Sequence, residues 1–251
     1  MTSPLVVFDN VSLELPDPEA KGFNIRKFLI QFASLKFQSC HKTKLLNSLN
    51  LSIYPGEKIG LIGPNGAGKT TFIRMLSSIF LPTSGEMVGK SFYPIIDRSL
   101  LVSHDLSAEY AIKAHYIYYK SSHSLIDRFP SFNTYKSKVL EISGLSYALH
   151  KKIKYYSEGM KTRLVFGLYM SLPSQHLLAI DEGFATGDKN FTSYVQQILK
   201  DYISSAGALV LASHSDNLLQ EFCTRGLVFN NGSILFDGHI DDALNFYNQN
   251  L

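Results

Sequence analysis

Two spacings of apolar residues run through this chain. Over residues 5–8, 11–15 and 50–54 apolar and polar positions alternate, which predicts antiparallel strands with one face in water. The first two are expected to be separated by a turn at Asp9-Asn10, and the third to be closed by Pro55-Gly56. Residues 58–62 read as a short buried strand; behind it Phe72, Met75, Leu76 and Ile79 repeat on one face of a helix. Residues 81–85 stop that helix, and short strands follow around 85–88 and 99–102. From 105 to about 150 the reading is mainly helical, with breaks at Pro130 and Gly144.

Beyond that stretch strands and helices alternate. A helix is expected over 161–170, a buried strand over 177–180, a helix over 188–204, a buried strand over 208–212 and a short helix over 216–222. A hairpin of 227–230 and 234–237 turns at Asn231-Gly232, and 240–250 forms a closing helix. Such alternation predicts an α/β fold with a mostly parallel sheet covered on both faces. Residues 16–44 stand apart: Ile25, Phe28, Phe32 and Leu35 recur at helical spacing among Lys21, Arg26, Lys27 and Lys36, a basic amphipathic helix. It either packs on its own domain or faces a membrane or membrane partner.

Composition narrows the picture only modestly. With 251 residues, 45% of them hydrophobic, the chain can bury the core of one large domain or of one domain with an inserted lobe. A net charge of +3 without a long basic run is too mild to argue for a nucleic-acid partner, and none is expected. Cys40 and Cys223 have no metal or redox spacing and suggest a reducing compartment without structural disulfides. Residues 5–8 are too short an apolar run for a signal peptide. No window approaches the roughly 18–20 apolar residues of a spanning helix, so any membrane role is expected to come through a partner.

The candidate chemistry begins at Gly63-Pro64-Asn65-Gly66-Ala67-Gly68-Lys69-Thr70, with Thr71 following. The pattern G-x-x-x-x-G-K-[ST] between a strand and a helix makes a phosphate cradle. Glycines let the backbone approach, several N–H groups converge on one anion, and the helix dipole adds positive potential. Lys69 is placed to reach the β- and γ-phosphates of ATP, and the Thr70 hydroxyl to hold Mg²⁺. A glycine-rich turn matches by chance in roughly one chain of this length in a hundred, before its strand and helix context is counted.

Three further stretches gain meaning beside it. Residues 177–180 lead into Asp181 and Glu182; an acid at the C-terminal end of a buried parallel strand sits where ligands bind. Asp181 is expected to complete the Mg²⁺ shell and Glu182 to act as general base on the attacking water. His214 ends the strand predicted to neighbour that of Asp181 and is expected to contact the γ-phosphate and the water. Ser157, in the run Tyr156-Ser157-Glu158-Gly159-Met160, is a good N-cap, and the helix start behind it is a second place for an anion.

Together, GPNGAGKTT, YSEGM, LLAIDE and His214 resemble the ABC-type ATPases in order and spacing. The pair YSEGM and DEGFATGD, with GLSYALHKKIKYYSEGMKTRLVFG and LASHSDNLLQEFCTRGLVFNNGSILFDG, is similar to the nucleotide-binding subunits of bacterial polysaccharide exporters. The likeness covers nearly the whole chain from Leu5 on. It implies a P-loop ATPase core with a mostly parallel sheet (about 5–104 and 172–251), an N-terminal antiparallel β subdomain and an inserted helical subdomain (105–171). It also implies a homodimer holding two ATP molecules, with Ser157 and Gly159 touching the γ-phosphate in trans and Asp188 linking the two sites. His214 takes the switch-histidine position. A polytopic membrane permease would receive the stroke through the helical lobe, at the cytoplasmic face of the bacterial inner membrane, and lipid-linked O-antigen is the implied cargo.

Four points depart from the family pattern or limit it. The aromatic that stacks on adenine aligns with Leu15, leaving the stack to another ring such as Phe23. The glutamine that senses magnesium in the family is missing, and its place falls near Ser103 or His104. The first signature glycine is Glu158, which puts an acid near phosphates unless it turns away. The chain stops soon after Tyr247, so a carbohydrate-reading domain is not expected within it. The competing readings are a soluble ABC ATPase acting on nucleic acid or ribosomes, a P-loop GTPase (no guanine-reading [NT]-K-x-D motif is present), and a regulatory subunit without ATPase activity.

Overall fold

The computed structural model describes residues 3–16, 42–89, 94–95, 103–120, 129–172, 177–181, 200 and 207–251. Nine strands and six α-helices are found there, with short 3-10 turns at Ser146–Ala148 and Ile153–Tyr155. The strands are β1 (Val6–Pro16), β2 (Lys42–Ile53), β3 (Lys58–Ile62), β4 (Ser84–Gly89), β5 (Pro94–Ile95), β6 (Leu178–Ile180), β7 (Leu209–Ala212), β8 (Arg225–Asn230) and β9 (Ser233–His239). The helices are α1 (Lys69–Leu76), α2 (Ala108–Lys120), α3 (Phe132–Ser143), α4 (Glu158–Met170), α5 (Asp216–Phe222) and α6 (Ile240–Asn250). The amphipathic segment, the strand at 99–102, Glu182, and the helix at 188–204 apart from Lys200 lie outside the described residues.

Two sheets carry the fold. One is antiparallel, in the order β2-β1-β4; the other runs β5-β6-β7-β3-β8-β9, parallel except for β9. Alternation along the central strands divides their side chains between two cores. Ile59, Leu61, Val210, Ala212, Leu227 and Phe229 face a core shared with α1 and the antiparallel sheet. Ile62, Leu209, Leu211, Val228 and Ile180 face the other, which continues into α2, α3 and α4. Helix α1 is thus enclosed between the sheets: the Phe72 ring lies 5.3 Å from those of Phe8 and of Phe229. On the opposite face α6 comes close because Gly226 leaves room; a Cβ there would sit 2.4 Å from that of Ala243.

Helices α2, α3 and α4 pack around Tyr135, which is fully buried among Tyr116, Phe129 and His115. Its hydroxyl lies 2.7 Å from His115 Nδ1 and donates to the Leu168 carbonyl at 3.1 Å. Burial pulls the His115 imidazole down to about 3. Cys223 is buried too, which pushes its thiol up to about 12.

Several sequence expectations require correction. The two strands expected over 5–8 and 11–15 are one, β1, running from Val6 to Pro16. Asn10 takes φ 49°, but its N–H is held by Asn50 Oδ1 at 2.9 Å, so the left-handed residue is absorbed as a bulge and the pairing continues. Strand β2 begins at Lys42, well before Asn50, because its earlier half also pairs with β1, with a register shift between Leu13 and Glu14. Strand β4 joins β1 in the antiparallel sheet. Ile79 is 56% exposed rather than on the buried face, since α1 ends at Leu76 and Ser77 Oγ turns back to the Ile73 carbonyl.

Candidate functional site

Strand β3 feeds the loop at 63–68, and α1 starts at Lys69 behind Gly68, whose φ of 109° no other residue type adopts easily. No acidic residue lies in the first turn of α1, so nothing there offsets the positive end of the helix. Lys69 is buried, 6% exposed, and its ammonium donates to the carbonyls of Gly63 and Pro64. Burial lowers its pKa from the ordinary lysine value, and the Asp181 carboxylate opposes that shift. The loop opens on a cavity of about 390 Å³ lined by residues 64–71, by Thr43, Lys44 and Leu45 of β2, and by Asn231 and Gly232. Backbone amides, a helix N-terminus and a buried cation converging on one hollow define an anion site of polyphosphate size.

Parallel pairing brings the other candidates to the same edge of the sheet. Strand β7 lies between β3 and β6, in register Gly60↔Leu211 and Ile180↔Leu211. His214, just past β7, places Nε2 3.0 Å from Asn65 Oδ1 in the loop. Asp181, just past β6, is buried and close enough to Lys69 to act on it electrostatically. Thr70 lines the cavity. A hydroxyl and a buried carboxylate beside a phosphate cradle fit a Mg²⁺ ion carried in with a nucleotide.

Ser157 and Gly159 are not brought to this cavity. They sit at the exposed start of α4, where Ser157 Oγ accepts the Met160 N–H at 3.2 Å and caps the helix. The acid of Glu158 is drawn back onto its own helix: Lys161 Nζ pairs with Glu158 Oε1 at 2.8 Å. Ser103 and His104 are also away from the cavity lining; the His104 carbonyl accepts the Lys154 N–H at 2.8 Å, tying that segment to the approach to Ser157. Gly63 lies at the root of the loop, where a Cβ would strike the Phe229 carbonyl, and not in the lining.

Glu182, Asp188 and Phe23 lie outside the described residues. Leu15 is paired with Thr43, one strand in from the cavity lip. Sequence reasoning does not find Thr43, Lys44, Leu45, Asn231 and Gly232, all lining residues. Only Asn231-Gly232 carries a local signal, and that signal is of a hairpin turn rather than a cavity wall.

A parallel sheet with this strand–loop–helix at its centre defines a P-loop nucleotide-binding protein. The model of the family described as ABC transporter matches residues 46–185, more than half of the chain. The chain therefore belongs to the ATP-binding family of ABC transporters and is an ATPase of that family. It is 33% identical over 208 residues to the ATP-binding protein BexA of Haemophilus influenzae, covering 82% of this chain and 90% of that protein. It is 29% identical over 234 residues to the O-antigen export system ATP-binding protein RfbE of Yersinia enterocolitica, covering 90% and 93%. The capsule polysaccharide export ATP-binding protein CtrD of Neisseria meningitidis serogroup B matches at 30% over 205 residues, 81% of this chain and 90% of that one. Among solved structures, the dimeric cassette MJ0796 in a post-hydrolysis state with ADP and Pi superposes with a TM-score of 0.69 at 16% identity, covering 94% of this chain and 98% of that one. Among the described residues no helix is long and apolar enough to cross a membrane.

Proposed function

We propose that this chain is the ATP-hydrolysing subunit of a polysaccharide exporter whose cargo is lipid-linked O-antigen. The observation that carries the cargo is the likeness to RfbE over 90% of this chain and 93% of that one; the hydrolytic role rests on the cavity at the phosphate loop. Two copies would close around two ATP molecules, each loop facing Ser157 and Gly159 of the other copy, with Asp188 between the sites. The ATPase core would span 5–104 and 172–251 and the helical subdomain 105–171, the latter meeting a polytopic permease at the cytoplasmic face of the inner membrane.

At each site residues 64–71 and Lys69 would hold the phosphates and offset the charge that develops as water attacks the γ-phosphate in line. Thr70 and Asp181 would hold Mg²⁺, which neutralises phosphate charge when bound. Glu182 would orient the water and take its proton, and His214, held at Asn65 before nucleotide arrives, would turn to the γ-phosphate. The test is deletion of the gene with analysis of surface glycan, together with capture of membrane proteins on the tagged chain. Loss of O-antigen from the surface and recovery of a polytopic partner are expected. Unchanged O-antigen with a different surface polymer missing would transfer the assignment to that polymer.

A further inference from the structure

The hairpin turn between β8 and β9 lies against the phosphate loop, far from it in sequence. Asn231 and Gly232 both have positive φ, 47° and 77°, as a two-residue turn of this hand requires. That requirement alone explains a glycine in the turn. It does not explain three further contacts. The Gly232 N–H donates to the Ala67 carbonyl at 2.9 Å, and the Gly232 carbonyl accepts the Asn47 N–H at 2.8 Å. A Cβ on Gly232 would lie 2.5 Å from the Leu45 carbonyl oxygen and 3.0 Å from its carbon. Gly68 is in the same contact: a Cβ on it would lie 3.4 Å from the Gly232 Cα.

We infer that Gly232 is a positioning residue for the phosphate loop, clamping the Ala67–Gly68 peptide between the hairpin turn and β2. The physical reason is peptide planarity. In a trans peptide the carbonyl of one residue and the N–H of the next point opposite ways. Holding the Ala67 carbonyl toward Gly232 therefore turns the Gly68 N–H away from the turn. That N–H belongs to the loop whose amides would converge on phosphate. An amide already aimed costs no reorganisation when the anion arrives, and a freed one would have to be ordered at the expense of affinity. The same clamp makes Asn231 and Gly232 part of the cavity wall. This inference rests on the reading of the cavity as a nucleotide site.

The test is ADP binding by calorimetry on the full chain, its Gly232→Ala variant and a Gly56→Ala control. Gly56 has φ 86° and nothing within 4 Å of where an added methyl would sit, so it carries the same backbone strain without touching the loop. Gly232→Ala is expected to weaken ADP by about tenfold or more while Gly56→Ala stays within about twofold of the parent. A Gly232→Ala chain that binds ADP within about twofold of the parent would overturn the clamp and leave the nucleotide reading intact. A folded parent that binds no ADP would remove that reading, and the clamp with it. Should Gly232→Ala not fold, amide exchange at Gly232 in the parent decides. Slowing by about tenfold on saturation with ADP supports the clamp, and an unchanged rate overturns it.

Discussion

His214 Nε2 and Asn65 Oδ1 stand 3.0 Å apart across 149 residues of sequence, joining the end of β7 to the phosphate loop. Facing the amide oxygen of Asn65, Nε2 donates in the tautomer that carries the proton there. A donor at that point is placed to turn from Asn65 to a phosphate oxygen when one arrives. His214→Ala is therefore expected to lower kcat for ATP hydrolysis by about a hundredfold with a much smaller change in ATP affinity. Equal loss of affinity and turnover would instead mark the contact as one that shapes the loop.

Lys69 and Glu182 should separate binding from chemistry. Lys69→Ala removes the buried cation of the cradle and is expected to abolish measurable nucleotide binding. Glu182→Gln keeps the size of the side chain but not its basicity. It should bind ATP, form the dimer, and turn over about 10²- to 10⁴-fold more slowly. Sedimentation with ATP and steady-state hydrolysis read both, and near-normal hydrolysis by Glu182→Gln would take Glu182 out of the role.

The Glu158–Lys161 pair answers the oddity of an acid at the start of α4. Lys161 is largely covered and Glu158 exposed, and a helical pair at this i,i+3 spacing contributes only about 0.2–0.5 kcal/mol, so its consequence is local charge. Lys161→Glu leaves two acids where a second copy's phosphate would approach. ATP-dependent dimerisation is expected to weaken severalfold, more at low salt than at high, while nucleotide affinity of the single chain is unchanged. Dimerisation that is indifferent to the charge would place the phosphate elsewhere.

His115 makes stability depend on pH. Unfolded, it takes a proton below its usual 6.5; folded, burial delays that to about 3. Between those values the unfolded chain binds more protons, so the stabilising contribution is complete above about 6.5 and is lost as pH falls toward 3. The slope approaches about 1.4 kcal/mol per pH unit in that window. Urea unfolding at several pH values should show it, and His115→Gln, which keeps a polar partner for the Tyr135 hydroxyl, should flatten it.

Residue types at fixed local spacing make the phosphate loop, the Ser157 cap, α5, α6 and the hairpin turn legible in the sequence. Each depends on neighbours within a few residues: glycines where φ is positive, a hydroxyl three residues ahead of an amide, apolar positions at one period. Legibility fails where a partner strand decides. Asn10 reads as a turn residue, yet Asn50 Oδ1 takes its N–H and the strand goes on. Ile79 continues a helical period that the chain itself abandons at Ser77.

Beyond the expected neighbourhood of β6 and β7, the order of strands belongs to the tertiary structure alone. Local pattern set the chemistry of Lys69, Thr70, Asp181 and His214, because side-chain type and element end are written in consecutive residues. That β7 inserts between β3 and β6, carrying His214 to Asn65, follows from pairing between segments distant in the chain. So does the seating of Gly232 between Ala67 and β2. Backbone hydrogen bonds across strands are blind to sequence separation, and only the packed fold chooses among the registers that the apolar pattern allows.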